Sequence, residues 1–305
     1  KQVETNKSLN ASNSALISID NKYWDVVAYV WSADYFNEEI WWNVNIITSK
    51  RQPGSSFKSL VYSLAIDKNA IWPLTPIYDT KTTFPWDYTP NNYDLKTMWK
   101  MTILTALNYS RNIPAVKAYY LAWGQNEIIT KLKDFWINSL SAKFNYWAPL
   151  ALWAWEVTPF EMVQAYSVFA NLWTKIEINP IKKILDSKWI VVEEKRQVIW
   201  KRVLSDATAY IMNSILSDSS ARPTDYWNNA LTLKWRKAWA KTWTSNKVFT
   251  KNWQKSILPW DLWTAWYTPQ YTTVVWSWNS NWQAMTAKAD WLWWAAPIWR
   301  DFMNY

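Results

Sequence analysis

Two kinds of hydrophobic periodicity divide the chain. Ala15–Ile19 and Asp25–Val30 are short β-type runs on either side of a polar turn, which predicts a hairpin. From Pro53-Gly54 the pattern changes to helical spacing through SSFKSLVYSLAI. Helical spacing dominates again over residues 103–135, with Pro114 suited to a first turn, and over 158–172 and Asp206–Leu216. Ile190–Glu194 reads as an isolated strand. The last third returns to strands in RKAWAKTWT, LWTAWYT and YTTVVWSW, followed by a short helix near Pro297–Asn304. Residues 1–12 are polar and read as a linker.

Strands at both ends with helices between them predict an α/β (α+β) fold. Its mainly antiparallel sheet is built from about 13–34 and 236–278, flanked by helices, with a helical lobe inserted over about 55–230. The domain is expected to run over 13–305. No apolar run approaches the roughly 18 residues of a membrane helix. A first residue of Lys1 and the lack of a signal peptide read as a segment of a longer protein.

Composition narrows the chemistry by elimination. With no Cys and no His, thiol nucleophiles, the Ser-His-Asp triad and the usual zinc sites are excluded. A covalent catalyst must pair a Ser or Thr hydroxyl with a Lys or carboxylate base. The net charge of +9 reads as a solvated lysine surface, since no nucleic-acid recognition motif accompanies it.

Thirty Trp beside two Gly is foreign to globular domains. The Trp sit where glycine belongs. Trp253 and Trp282 follow Asn as in Asn-Gly turns, Trp136 and Trp173 lie just past helical patterns, and Trp24 and Trp189 fall in polar turns. A left-handed backbone costs a non-glycine residue roughly 1–2 kcal/mol, so ten such sites would rival a domain's whole stability of about 5–15 kcal/mol. The pattern is that of a code in which UGA means glycine, translated as tryptophan, with Gly54 and Gly124 as the glycines spelled by ordinary codons. Trp263, Trp276, Trp299 and Trp200 suit their surroundings as tryptophan. Reading the others as glycine brings the glycine count to about 28, near the roughly 21 usual at this length.

Three motifs carry chemistry. Ser55-Ser56-Phe57-Lys58 places an amine one helical turn after a hydroxyl, and a neutral Lys58 is a competent base if burial or a nearby cation lowers its pKa. Ser110-Arg111-Asn112 offers a hydroxyl and an amide on a loop. Lys241-Thr242-Trp243-Thr244 lies on a predicted strand and becomes K-T-G-T with glycine at 243. Singly each is weak. Together they match the S-x-x-K, S-D-N and K-T-G class.

With their flanks, RQPGSSFK (Arg51–Lys58), NYSRNIPAVKA (Asn108–Ala118), KTWTSN (Lys241–Asn246) and AWYTPQYTTVVW (Ala265–Trp276) resemble penicillin-binding transpeptidases from about residue 13 to the end. ADYFNEEI and NVNIITSKRQPG are most similar to the bifunctional, class A type. The resemblance implies that Ser55 is acylated by D-Ala-D-Ala stem peptides of peptidoglycan and that Lys58 takes its proton. It implies that Ser110 and Asn112 relay protons and position the donor peptide, and that Lys241 stabilises the site. Thr242 and Thr244 would bind the terminal carboxylate, and the Ser55 and Thr244 N–H groups would form the oxyanion hole. The family's glycine at 243 clears room for substrate. Implied partners are stem peptides and β-lactams, with an upstream glycosyltransferase domain and a membrane anchor outside this chain, an extracytoplasmic location, no nucleic acid, and no cofactor or metal. The alternatives are a D,D-carboxypeptidase or β-lactamase, for which Glu156 is the nearest base by sequence, a penicillin sensor, or a tryptophan-rich carbohydrate binder.

Overall fold

The computed structural model describes residues 2–305 except 39–43, 142, 153–154, 173, 176–180, 182, 195–200, 225–229, 252–253, 280–282, 291 and 293. The polar leader is not free of the body. It forms a short helix, α1 (Gln2–Asn6), and a 3-10 turn (Lys7–Leu9). Asn10 Nδ2 donates to the Ala284 carbonyl at 2.8 Å, and Ala11 is buried in the main core.

The predicted hairpin is β1 (Asn13–Asp20) with β2 (Val26–Val30). A 3-10 turn (Gly54–Phe57) then runs into α2 (Lys58–Asp67), whose first nine residues are all buried. A helix apolar all round belongs at the centre of a lobe, where Leu60, Val61 and Leu64 each contribute about 1.5–3 kcal/mol. A hairpin without a period-2 signal follows, β3 (Pro76–Asp79) on β4 (Trp99–Thr102).

Residues 103–135 hold three helices instead of one long run: α3 (Ile103–Asn108), α4 (Asn112–Ala122) and α5 (Gln125–Asp134). Pro114 occupies the first turn of α4, where an N–H has no intrahelical partner to lose. Then comes α6 (Pro159–Ala170), opened by a capping box between Thr158 and Glu161. Beyond it lie β5 (Thr174–Lys175), β6 (Lys183–Leu185), β7 (Val191–Glu194) and β8 (Lys201–Arg202). The strand read as isolated, β7, pairs with β6, and β5 pairs with β8. The lobe ends in α7 (Asp206–Ser217).

The chain closes with β9 (Trp239–Lys251), β10 (Gln254–Tyr267), β11 (Tyr271–Trp278) and α8 (Ala295–Asn304). The main sheet has the order β2-β1-β11-β10-β9 and is antiparallel throughout. Its mixed α/β architecture and its assembly from both chain ends are as the sequence predicts. Alternate residues take opposite faces. Ile17, Ala265 and Val274 join the core shared with α2 and α6, whereas Leu16, Trp266 and Val275 pack on α8.

Among the described residues, six tryptophans have left-handed backbone: Trp24, Trp86, Trp99, Trp136, Trp147 and Trp189, with φ of 56°, 65°, 60°, 65°, 50° and 63°. Trp136 shows why. Its N–H reaches the Lys133 carbonyl and the Ile137 N–H reaches that of Leu132, a Schellman end to α5 with Trp136 at the position that favours glycine. Trp24, Trp136 and Trp189 were expected there. Trp173, Trp253 and Trp282 lie outside the described residues.

Candidate active site

Ser55 lies in the 3-10 turn Gly54–Phe57, and Lys58, whose N–H donates to the Ser55 carbonyl, opens α2 directly after it. Ser55 is half-buried and Lys58 fully buried. The turn is pinned on both sides. Ser56 Oγ donates to the Pro53 carbonyl at 2.5 Å, and Tyr166 Oη from α6 donates to the Ser56 carbonyl at 2.7 Å. Upstream, Arg51 and Val157 exchange backbone hydrogen bonds of 2.7 and 2.9 Å.

Ser110 sits in the break between α3 and α4. Its N–H bonds to the Leu107 carbonyl and the Arg111 N–H to that of Ala106, the same helix ending as at Trp136, and its φ is 53°. A serine held in this conformation costs about 1–2 kcal/mol, the kind of strain that collects at functional sites. Here it turns both the Ser110 carbonyl and its hydroxyl toward lysines. Lys58 Nζ donates to Ser110 O and to Asn112 Oδ1, each at 2.6 Å, and lies 3.5 Å from Ser110 Oγ. Lys241 Nζ donates to the same Oγ at 3.0 Å. One hydroxyl therefore stands between two buried amines.

Strand β9 delivers Lys241, Thr242, Trp243 and Thr244 against the Gly54–Phe57 turn. Ser55, Ser110, Thr242, Trp243 and Thr244 line one cleft of ≈ 440 Å³, with Tyr93 and Asn246 on its walls. Trp243 is 3% exposed, and its indole fills the space that a side chain on Gly54 would need. Gly54 itself has φ 48°, so this turn has room for no Cβ on either count.

Burial dominates the electrostatics. It lowers the Lys241 amine to about 7. It also pushes Lys58 well below the ordinary lysine range, helped by the positive charges of Lys241 and Arg111 and opposed by Asp79. A neutral Lys58 amine has two N–H groups, matched by its two acceptors at 2.6 Å. Its lone pair is then free to take a proton from a hydroxyl. The pair of lysines and the shared serine can deprotonate one atom and reprotonate another without a histidine.

Of the residues named from the sequence, Ser55, Ser110, Thr242, Trp243 and Thr244 line the cleft, and the Lys58 and Lys241 amines meet at Ser110 without lining it themselves. Asn112 does not line the cleft: Lys58 occupies its Oδ1, and its Nδ2 donates to the Asn91 carbonyl at 2.7 Å. Glu156, the carboxylate weighed as a hydrolytic base, is exposed and also does not line the cleft. The neighbouring Glu161 holds its own helix start and the N–H groups of Asn138 and Ser139. Asp290 does line the cleft, but its carboxylate accepts the Leu292 N–H at 2.9 Å. Sequence reasoning missed Asp79, Asn92 and Tyr93. The only local signal was the Asn91-Asn92-Tyr93-Asp94 run, which reads as an ordinary polar loop.

Known proteins match nearly the whole chain in sequence and in fold. Residues 15–304 match the family model described as the penicillin binding protein transpeptidase domain. Penicillin-binding protein 1F of Bacillus subtilis is 30% identical over 88% of this chain and 35% of its own length. Penicillin-binding protein 2D of the same organism is 30% identical over 94% and 40%. The chain thus spans well under half the length of these two relatives. The crystal structure of penicillin-binding protein 1A from Haemophilus influenzae shares the fold with a TM-score of 0.76 at 23% identity, over 97% of this chain and 47% of that one. The Mycobacterium tuberculosis PonA1 protein in complex with penicillin V does so at 0.78 and 17%, over 99% and 81%. On the strength of the family model and these relatives, the chain belongs to the transpeptidase-domain family of penicillin-binding proteins.

Proposed function

We propose that this chain is a peptidoglycan D,D-transpeptidase domain that forms cell-wall cross-links through an acyl-serine intermediate, and that β-lactams acylate it. The observation that carries the reading is the Ser110 hydroxyl, 3.0 Å from Lys241 and 3.5 Å from Lys58, beside Ser55 in one cleft. Lys58 Nζ takes the Ser55 proton as Oγ attacks the penultimate D-Ala carbonyl. The scissile C–N bond breaks, and the departing D-alanine amine collects a proton through Ser110. An acceptor amine from a neighbouring strand then attacks the ester and frees Ser55. The Ser55 N–H, at the open start of its helix, and that of Thr244 would receive the oxyanion, an arrangement typically worth a few kcal/mol. Thr242 and Thr244 would hold the terminal carboxylate.

Hydrolytic function is disfavoured because Glu156, the base weighed for it, is exposed and stands outside the cleft. The same reading places glycine at 243 and at the left-handed tryptophans in the natural protein. It places the full-length protein outside the cytoplasm, anchored in the membrane and carrying a glycosyltransferase domain upstream. Among the described residues no helix is long and apolar enough to cross a membrane, so the anchor would lie elsewhere.

Mass spectrometry of the natural protein after penicillin treatment tests the reading. A stable adduct on the peptide containing Ser55, absent from Ser55→Ala, is expected, together with a mass that reports glycine at the recoded positions. Rapid turnover of the drug, or an adduct elsewhere, would overturn it.

A further inference from the structure

Beneath Lys58 lies a buried polar network that the reaction just described does not use. Arg111 is 1% exposed and Asp79 0%, and Arg111 Nε meets Asp79 Oδ2 at 2.8 Å. The other carboxylate oxygen accepts Asn92 Nδ2 at 2.7 Å. Asn92 Oδ1 accepts the Asn112 N–H at 2.8 Å, and Asn112 Oδ1 in turn holds Lys58. Toward the cleft, Arg111 also bonds Asp94 and the Lys96 carbonyl and lies 5.6 Å from the ring centre of Tyr93, which forms part of the wall. One ion pair therefore touches both the wall and the floor of the site.

We infer that Arg111 and Asp79 are positioning residues for the general base, a buried ion pair that fixes the Lys58 amine through Asn92 and Asn112 and balances the electric field at it. The inference deepens the proposed function and rests on that reading. A buried pair is weak evidence of stabilisation, because desolvation cancels most of its attraction, so its presence this close to a base points to another role. The two partners act on Lys58 with opposite sign: the guanidinium opposes its protonation and the carboxylate favours it. Lys241 from β9 also acts on Lys58, whereas Tyr62 on α2 and Lys117 on α4 face Asp79, and Tyr93 and Asp94 on the wall loop face Arg111. Lys241 opposes protonation in the same sense as Arg111. Lys117 donates to the Tyr78 carbonyl, and the Tyr62 phenol is held protonated by burial.

The test is the titration of Lys58 itself, followed through its ε-carbon by NMR in the Trp243→Gly protein and assigned with Lys58→Arg. Arg111→Met should move the titration upward by about one pH unit or more, and Asp79→Asn downward. Arg111→Lys keeps the charge but loses the fork to Asp94 and Lys96. It should leave the midpoint in place and slow acylation, and it guards against loss of fold in the other two. Identical midpoints in all variants, or shifts of the same sign for Met and Asn, would overturn the inference. Opposite shifts in a protein that penicillin never acylates would leave it standing while removing the transpeptidase reading.

Discussion

Replacing Trp243 with glycine separates two physical expectations that normally agree. The indole is 3% exposed, with its ring centre 5.0 Å from that of Trp263, so it has the burial of a core residue. Truncating an ordinary buried tryptophan costs about 3–5 kcal/mol. Here the indole also fills the space over Gly54 at the head of the nucleophile turn, and overpacking of that kind costs about 1–3 kcal/mol. Trp243→Gly should therefore lose less than the ordinary penalty, about 2 kcal/mol by urea denaturation, the difference between the middles of the two ranges. Function should respond far more. An indole at this place displaces an acyl donor from Ser55 and from the Thr244 N–H, and a misplacement of about 1 Å is enough to cost about a hundredfold. The second-order rate of acylation by a fluorescent penicillin, read on denaturing gels, should rise at least about a hundredfold in the variant. Equal rates in the two proteins, or a full 3–5 kcal/mol loss of stability, would refute the assignment of glycine to this site.

Two further substitutions probe other parts of the structure. Trp189 has φ 63° in the turn it closes with Asp186 and is 82% exposed, so Trp189→Gly relieves strain without losing packing. It should raise the urea midpoint by the equivalent of about 1 kcal/mol, and a fall would contradict the strain. Lys241 binds its proton less tightly in the native chain than when unfolded, because burial lowers its pKa to about 7. Its contribution to stability is least below that pH and grows by about 1.4 kcal/mol per pH unit up to the ordinary lysine range near 10.5. Lys241→Met should reduce the stability slope between pH 7 and 9 by about that amount, and an unchanged slope would refute it.

What could be read from the residues was whatever physics writes locally. Period-2 runs became β1, β9, β10 and β11, and the tryptophan at position 136 marked a helix end because φ > 0 is a local demand. Ser55 and Lys58 were visible because one turn of helix is enough to join them. The loop at Ser110-Arg111-Asn112 was legible between two helical patterns, but its left-handed turn was not, since serine does not announce a positive φ. The partnership of Asp79 with Arg111 was equally invisible. It spans 32 positions and is fixed by how β3 packs beside α4. Asn112 seemed free for substrate only because nothing near it in the chain foretells Asn91 or Lys58 as its partners.

The central pairing of the sheet also governs when the cleft can form. β1 meets β11 over its full length, from Asn13 opposite Trp278 to Asp20 opposite Tyr271. Chains are made from the N-terminus, so the first strand leaves the ribosome long before its main partner, and such distant pairings close slowly. Ser55 and Lys58 are likewise translated well ahead of the Lys241 strand that completes their surroundings. The stretch that holds Ser55 and Lys58 therefore emerges without the opposing strand edge, and the cleft closes only once β9 has been made and has packed against it.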